Sequence, residues 1–304
     1  MQVKPSADFF SIIVIPDTQG MALAHPELYR RLGSSVANRI RELPVKAVLH
    51  VGDLVDNGAD DETQYRTAYG ALGPIMQSGV PCLFAIGNHD YDNLVALDRS
   101  STMFNRYFGI GNYAGKTWFG GVYEEGRAEN AYLLIREPRC SLLVLSLEFG
   151  PRDEVLEWAD HVMAAHADCN VVIVTHSYLH PRGHRVTAAD ELHPTSYCGS
   201  RDGNDGQAMW EKSLCKHPNL VAVFSGHHVP GHVSARVDRG AAGQSVAQVF
   251  QNWQLEPLGG AGRYRIADFY PHEGKLGLSV YNAAADRYEH EDGYEAVLPI
   301  RLLP

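Results

Sequence analysis

The sequence of 304 residues lacks the features of several protein classes. No apolar run reaches the roughly 20 residues that a transmembrane helix needs. The first residues show no charged region followed by an apolar one, so they predict no signal peptide. The formal net charge is −10, without any Lys/Arg-rich run, which disfavours general nucleic-acid binding. We therefore expect a soluble protein, either cytoplasmic or secreted with a signal peptide that is absent from this sequence.

The sequence motifs of common enzyme classes are also missing. There is no GxSxG, HExxH, HxHxDH or P-loop motif, and no GxGxxG follows a predicted strand. These absences leave a serine hydrolase, a zinc protease, a metallo-β-lactamase-like hydrolase and a nucleotide-dependent enzyme without support.

Five cysteines are present, and none of them forms a CxxC pair. Cys82, Cys140 and Cys169 lie in or beside predicted strands, where we expect buried free thiols. Cys198 and Cys215 lie in a polar region and could form a disulfide in an oxidising compartment. The compartment therefore stays open at this stage.

Apolar runs of strand length alternate with helical patterns along the chain. They are rich in Val, Ile and Phe and nearly continuous, as strands buried on both faces should be. Strands are predicted at 9–15, 46–51, 81–86, 171–175 and 220–225, helices at 26–42 and 151–167, a hairpin at 130–147 and a strand-rich part at 233–281. This pattern predicts an α/β domain with a second, more antiparallel sheet.

Metal-ligand types of side chain follow the end of each of these five strands. In chain order they are Asp17 and Gln19; Asp53 and Asp56; Asn88, His89 and Asp90; His176; and His227 and His228. Each alone is typical of a turn, a helix cap or a structural histidine. Capping does not easily explain five such coincidences, and ligands bind at the carboxyl ends of strands in open α/β sheets. Gly52, Gly87 and Gly226 directly precede three of the sets, where glycine permits a sharp turn close to an ion.

The ordered set of motifs resembles the calcineurin-like metallophosphoesterases, in a bacterial branch whose first motif is D-x-Q. The motifs are Asp17-Thr18-Gln19, GD-x-x-D from Gly52, GNHD from Gly87, the strand-end His176 and Gly226-His227. The resemblance implies a four-layer α-β-β-α sandwich with two mixed β-sheets. It also implies a single domain over 1–304, with a core at about 8–285 and a C-terminal extension at 286–304.

By the same resemblance, two divalent metal ions (Mn, Fe or Zn) lie at the strand ends. Asp53 would bridge them, Asn88, His176 and His227 would complete one site, and Asp17 with Gln19 would serve the other. His89 would be the general acid, oriented by Asp90, while Asp56 would support the ligands from outside. The donor types suit such ions, since carboxylate, amide oxygen and imidazole bind borderline to hard divalent metals.

Two departures from the family pattern affect the same metal site. Gln19 stands where histidine is usual, and Val229 stands where the second histidine of GH-x-H is expected. Either His228 or His232 replaces the missing imidazole, or the site keeps only Asp17, Gln19, Asp53 and water and binds its ion weakly. An amide oxygen would favour Mn²⁺ or Mg²⁺ there.

Two long segments lie beside the predicted site. The aromatic-rich stretch 91–129 either walls a substrate pocket or packs on its own rings. The insertion 177–210 begins at a predicted ligand strand. Its His180, Arg182 and His184 are candidates for binding an anionic group of the substrate.

The sequence thus favours metal-dependent hydrolysis of a phosphoester by metal-activated water, with His89 as general acid. Phosphodiesters are slightly favoured over monoesters, because a general acid helps a poor leaving group. The expected partner is a small phosphorylated substrate, and the oligomeric state is open. The alternative is a non-catalytic binding or scaffold protein on a degenerated phosphoesterase frame, suggested by the two lost imidazoles.

Overall fold

A computed structural model describes residues 9–58, 62–94, 98–138 and 140–303. The helices are α1 (Gln19–Ala24), α2 (Pro26–Glu42), α3 (Glu62–Met76), α4 (Thr102–Phe108), α5 (Asp153–Ala165), α6 (Gly206–Lys212) and the short α7 (Pro257–Gly260). The strands are β1 (Phe10–Ile15), β2 (Val45–His50), β3 (Cys82–Phe84), β4 (Phe119–Val122), β5 (Ala131–Ile135), β6 (Leu142–Leu147), β7 (Asn170–Thr175), β8 (Leu220–Ser225), β9 (Val233–Arg239), β10 (Ser245–Gln251), β11 (Arg263–Tyr270), β12 (Lys275–Asn282), β13 (Arg287–Glu289) and β14 (Ala296–Pro299).

The strands form two mixed sheets of seven strands each. The first has the order β13-β12-β11-β1-β2-β3, with β14 paired to β12; β1, β2 and β3 run parallel, and β11 pairs antiparallel with β1. The second has the order β4-β5-β6-β7-β8-β10-β9, in which β6, β7, β8 and β10 run parallel. The predicted two-sheet α/β fold is confirmed. The expectation of a more antiparallel second sheet is wrong, because the C-terminal strands are divided between the two sheets.

The central parallel strands form because their side chains are apolar on both faces. Every residue of β1, β6, β7 and β8 is buried. The sheets are covered by amphipathic helices such as α2, which begins with Pro26 in its first turn and buries Tyr29, Leu32 and Val36. The predicted hairpin is also present, as β5 pairs with β6 in the register Ala131 to Ser146.

The C-terminal residues belong to the packed fold. Strands β13 and β14 both pair with β12, and Leu303 exchanges two hydrogen bonds with the Asn170 side chain at 2.7 and 3.2 Å. The boundary predicted at residue 285 therefore does not mark the end of the core, because the sheet continues beyond it.

The structure also answers the expectation about a disulfide bond. All five cysteines are free, so the disulfide between Cys198 and Cys215 is not formed.

In the 91–129 stretch, Tyr113 stacks on Phe119 with ring centroids 4.6 Å apart, and Tyr91 and Phe108 are buried. These rings pack against one another and against the core, which is the second of the two alternatives for this stretch.

Among the described residues, no helix is both long enough and apolar enough to span a membrane.

Candidate metal centre

The carboxyl ends of strands from both sheets meet at one edge of the sandwich. Asp53 follows β2 of the first sheet, and His176 and His227 follow β7 and β8 of the second. All three are buried, and one potential ligand atom from each lies within 4.8 Å of the others. The site is therefore assembled between the two sheets and needs both of them.

His176 lies at the middle of this cluster. Its Nε2 atom is 3.2 Å from Asp53 Oδ1, 3.2 Å from Asn88 Oδ1 and 3.1 Å from Nδ1 of His227. Four potential ligand atoms thus face a common centre. Two imidazole nitrogens, a carboxylate and an amide oxygen form a donor set that suits a borderline divalent cation.

Asp17 and Gln19 extend the cluster on the side of β1. Both oxygens of Asp17 accept the backbone N–H of His227, at 3.0 and 3.3 Å, and Oδ1 lies 3.9 Å from His176 Nε2. Gln19 Nε2 donates to Asp53 Oδ2 at 2.9 Å, while Gln19 Oε1 is buried without a hydrogen-bond partner. Buried polar atoms are normally satisfied. The orphaned oxygen, on an amide that is hydrogen-bonded to Asp53, fits a metal ligand.

Two glycines beside the candidate ligands leave space for the carboxylates of Asp53 and Asp17. A Cβ on Gly87 would lie 2.1 Å from Asp53 Oδ1, and a Cβ on Gly226 would lie 2.1 Å from Asp17 Oδ2. Asp53 and His227, which follow Gly52 and Gly226, adopt positive φ angles of 53° and 76°. Such conformations are uncommon for residues other than glycine and cluster at functional sites.

Backbone carbonyls hold both imidazoles in a ligating orientation. Nδ1 of His176 donates to the carbonyl of Val51 at 2.9 Å, which leaves Nε2 directed to Asp53. Nε2 of His227 donates to the carbonyl of Leu192 at 2.8 Å, which leaves Nδ1 for the centre. Such outer hydrogen bonds fix the tautomer and ring angle of metal-binding histidines.

The charges of the metal-free cluster are strongly coupled. Burial raises the pKa of Asp17 to about 7. Burial opposes the charged forms of Asp53 and His176 too, but their mutual attraction holds the pKa of Asp53 well below its usual range and raises the pKa of His176 to about 9. Burial and the neighbouring His176 lower the pKa of His227 to about 3. Metal binding needs the neutral form of His176, so a cation and a proton would compete for this ring.

The structure corrects the contacts predicted around His89. The Asp90 carboxylate accepts backbone N–H groups of Leu54 at 2.8 Å, Val55 at 3.2 Å and Gly87 at 2.8 Å, so it fixes the two loops. The His89 ring instead places Nδ1 2.6 Å from the backbone carbonyl of Asp56. Asp56 thus orients His89, the role predicted for Asp90.

Comparison with known proteins agrees with this geometry. The calcineurin-like phosphoesterase profile matches residues 10–231, which is more than half of the chain. The chain belongs to the calcineurin-like phosphoesterase family. It therefore carries a metallophosphoesterase enzyme domain, of a family that uses dinuclear divalent metal centres.

Individual relatives are distant. The chain is 25% identical over 312 residues to the uncharacterized protein YvnB of Bacillus subtilis (strain 168), covering 99% of this chain and 22% of that protein. It thus spans less than a quarter of this curated relative. A dimetal phosphatase from Danio rerio shares the fold, with a TM-score of 0.56 and 13% identity over 96% of this chain and 99% of the other. So does GAP50, the anchor in the inner membrane complex of Plasmodium, with a TM-score of 0.52 and 9% identity over 97% and 89%.

The two histidines considered as substitutes for the missing family ligand are engaged elsewhere. His228 Nε2 lies 2.9 Å from Ser177 Oγ, and His232 Nε2 lies 2.8 Å from Glu256 Oε1. Neither belongs to the cluster formed by Asp53, His176 and His227.

The insertion 177–210 reaches the centre through groups that the sequence did not indicate. The Leu192 carbonyl contacts His227, and the Tyr197 ring lies 6.2 Å from the His227 ring. Phe149, just after β6, packs edge-on against His176 at 5.6 Å. The predicted anion binder Arg182 is exposed. His180 and His184 instead form a separate group with Asp190.

Proposed function

We propose that this chain hydrolyses a small phosphorylated substrate, a phosphodiester in preference to a monoester, in a metal-dependent reaction. The observation that carries the proposal is the meeting of Asp53, His176 and His227 at the junction of the two sheets, with their ligand atoms within 4.8 Å. Because both sheets contribute, we also propose that residues 1–304 act as one domain.

Six side chains would hold the metal ions. Asn88, His176 and His227 would bind one ion, Asp17 and Gln19 the other, and Asp53 both. When bound, the ions would supply Lewis acidity toward a phosphoryl group and lower the pKa of water. We propose Mn, Fe or Zn at the histidine-containing site and Mn or Mg at the site with Gln19, because an amide oxygen is a harder donor than imidazole.

His89 is the proposed general acid. Its Nδ1–H donates to the Asp56 carbonyl, which leaves Nε2 as the ring nitrogen that can carry a proton to a leaving oxygen. Burial works against its charged form, but Asp53 and Asp56 outweigh it and raise the pKa of His89. The side chain is 28% exposed, so a substrate can reach it. A raised pKa keeps the acid form available near neutral pH.

The surroundings support a diester substrate. Among the described residues, the hydrogen bonds and ion pairs of the candidate ligands involve no lysine or arginine. The buried Arg185 is hydrogen-bonded to Asp238, Gln248 and Gln207. A monoester dianion carries one more negative charge than a diester and gains more from such cations. Candidate ligands whose contacts include no such cation favour the less charged substrate.

The test is turnover of bis(p-nitrophenyl) phosphate against p-nitrophenyl phosphate, with metal-stripped protein supplied with Mn²⁺, Fe²⁺ or Zn²⁺. We expect metal-dependent turnover with higher kcat/KM for the diester, and its loss in Asp53→Asn. Faster turnover of the monoester would contradict the substrate preference. Metal binding at the centre without turnover of either ester would favour the scaffold alternative.

A further inference from the structure

A second group of metal-ligand side chains lies outside the candidate centre, in the insertion after β7. His180, His184 and Asp190 each present one potential ligand atom, and these atoms lie within 4.8 Å of one another. His184 Nε2 is 2.8 Å from Asp190 Oδ1, and the rings of His180 and His184 are nearly parallel with centroids 4.6 Å apart. We call this set the insertion cluster.

The backbone that carries the two histidines is a tight hairpin. His180 N–H donates to the carbonyl of His184 at 2.8 Å, and Leu179 and Arg185 form an antiparallel bridge beside them. Ser234 Oγ on β9 donates to the carbonyl of His180 at 2.8 Å. The two rings are therefore held on one rigid turn that is anchored to the second sheet.

Two members of the insertion cluster, His180 and Asp190, each have one polar atom fixed by a neighbouring residue outside the cluster. Nδ1 of His180 accepts the backbone N–H of Arg182 at 3.2 Å, which leaves Nε2. Asp190 Oδ2 accepts the N–H and the hydroxyl of Thr187 at 2.8 and 3.0 Å, so Oδ1 is the oxygen that faces His184 Nε2 and would face a cation. Hydrogen bonds of this kind orient metal ligands in proteins.

We propose that the insertion cluster is a zinc-binding site, separate from the candidate dinuclear centre. Two imidazoles and one carboxylate are a donor set that zinc accepts with a fourth position open to water. With Zn–N distances of about 2.0–2.1 Å, tetrahedral ligand atoms lie about 3.3 Å apart. Small side-chain rotations bring atoms already within 4.8 Å to that spacing. All three residues are only partly buried, so a cation can enter from solvent.

The insertion cluster adjoins the candidate centre without sharing ligands with it. The His180 ring lies 5.4 Å from the His228 ring, and the His228 ring lies 4.7 Å from the His227 ring. His228 thus separates the two sets. Zinc bound by the insertion cluster would join the hairpin to the 187–190 turn and add positive charge next to the substrate site. The proposal does not depend on phosphoesterase activity.

The test measures zinc binding in an Asp53→Asn background, which removes the bridging ligand of the dinuclear centre. Calorimetric titration with Zn²⁺ should give one equivalent bound per chain and a zinc-dependent rise in Tm. Adding His184→Gln or Asp190→Asn should weaken that binding by at least about 100-fold. His193→Gln serves as the control, because its ring contacts Thr195 in the same insertion and lies outside the cluster.

The competing interpretation is a simple hydrogen-bonded pair of His184 and Asp190 on the surface. It predicts no zinc bound in the Asp53→Asn background, or binding that His184→Gln and Asp190→Asn leave unchanged; either result overturns the proposal. His184 is 42% exposed, so its substitution should leave the fold intact, and the Tm measured without zinc checks this. Failure here leaves the proposed hydrolysis untouched, since that rests on Asp53, His176 and His227.

Discussion

The substitution Gly87→Ala probes the proposed metal centre with a single methyl group. Gly87 lies after β3, and a Cβ there would lie 2.1 Å from Asp53 Oδ1 and 2.4 Å from the backbone nitrogen of Asp53. The carboxylate would have to move by about 1.3 Å to reach an ordinary contact of 3.4 Å. The backbone atom cannot move so far without shifting the Asp53 loop, whose conformation His89 N–H and Thr18 N–H also hold.

The size of the effect follows from that displacement. A misplacement of about 1 Å in a catalytic constellation costs on the order of 100-fold in rate, which corresponds to about 2.7 kcal/mol. Overpacking adds about 1–3 kcal/mol of destabilisation. We therefore expect Gly87→Ala to lower kcat/KM at least about 100-fold and to weaken metal binding, because Asp53 is the proposed ligand of both ions.

Gly70→Ala is the matched control. Gly70 lies on the exposed face of α3, and a Cβ there meets nothing within 4 Å. Alanine in a helix interior stabilises by about 0.5–1 kcal/mol relative to glycine, so Tm should rise by about 1–3 °C with activity unchanged. Activity, metal titration and Tm are measured for both variants. A folded Gly87→Ala protein with wild-type turnover and metal affinity would refute the reasoning.

Three further predictions address individual residues. Asp53→Asn should abolish turnover and metal binding at the dinuclear centre while leaving Tm of the metal-free protein near the wild-type value; unchanged metal binding at this centre would show that Asp53 is not the bridge. His89→Ala should retain metal but lose on the order of 10²–10⁴-fold in rate, less for esters with good leaving groups, and equal losses would argue against proton donation. Gln19→His should tighten the weaker site and reduce stimulation by added Mn²⁺; calorimetry that finds two equally tight sites in the wild type would contradict this.

Much of the fold could be predicted because its strands are buried on both faces. A continuous apolar run can be recognised as a buried strand without knowing which strand it pairs with. The bounds of β1, β7 and β8 were therefore predicted to within one or two residues. Helix α2 was predicted at its observed bounds, since Pro26 marks its first turn. The placement of β13 and β14 was missed, because short half-exposed strands depend on the edge of β12 for their pairing.

The neighbourhood of the proposed ligands could be predicted for a topological reason. Parallel strands bring their carboxyl ends to one edge, so the side chains that follow β7 and β8 of the second sheet had to lie close together. Their meeting with Asp53 of the first sheet depends on how the two sheets pack. The contacts that orient these side chains could not be predicted. Which distant backbone carbonyl faces a ring, such as Leu192 for His227, depends on the path of a loop. The role of orienting His89 was assigned to Asp90 instead of Asp56 for the same reason.

The backbone itself connects the ligands across the two sheets. Asp17 on the first sheet accepts the backbone N–H of His227 on the second, and Asp53 accepts the backbone N–H of His89. The positive φ angles of Asp53 and His227 cost on the order of 1–3 kcal/mol each, and these hydrogen bonds help to hold them. A carboxylate in this site therefore positions its neighbour as well as offering an oxygen to a metal ion. An alanine substitution removes both effects together, whereas Asp→Asn keeps one acceptor oxygen for the backbone, so asparagine variants separate loss of the metal from loss of the loop conformation.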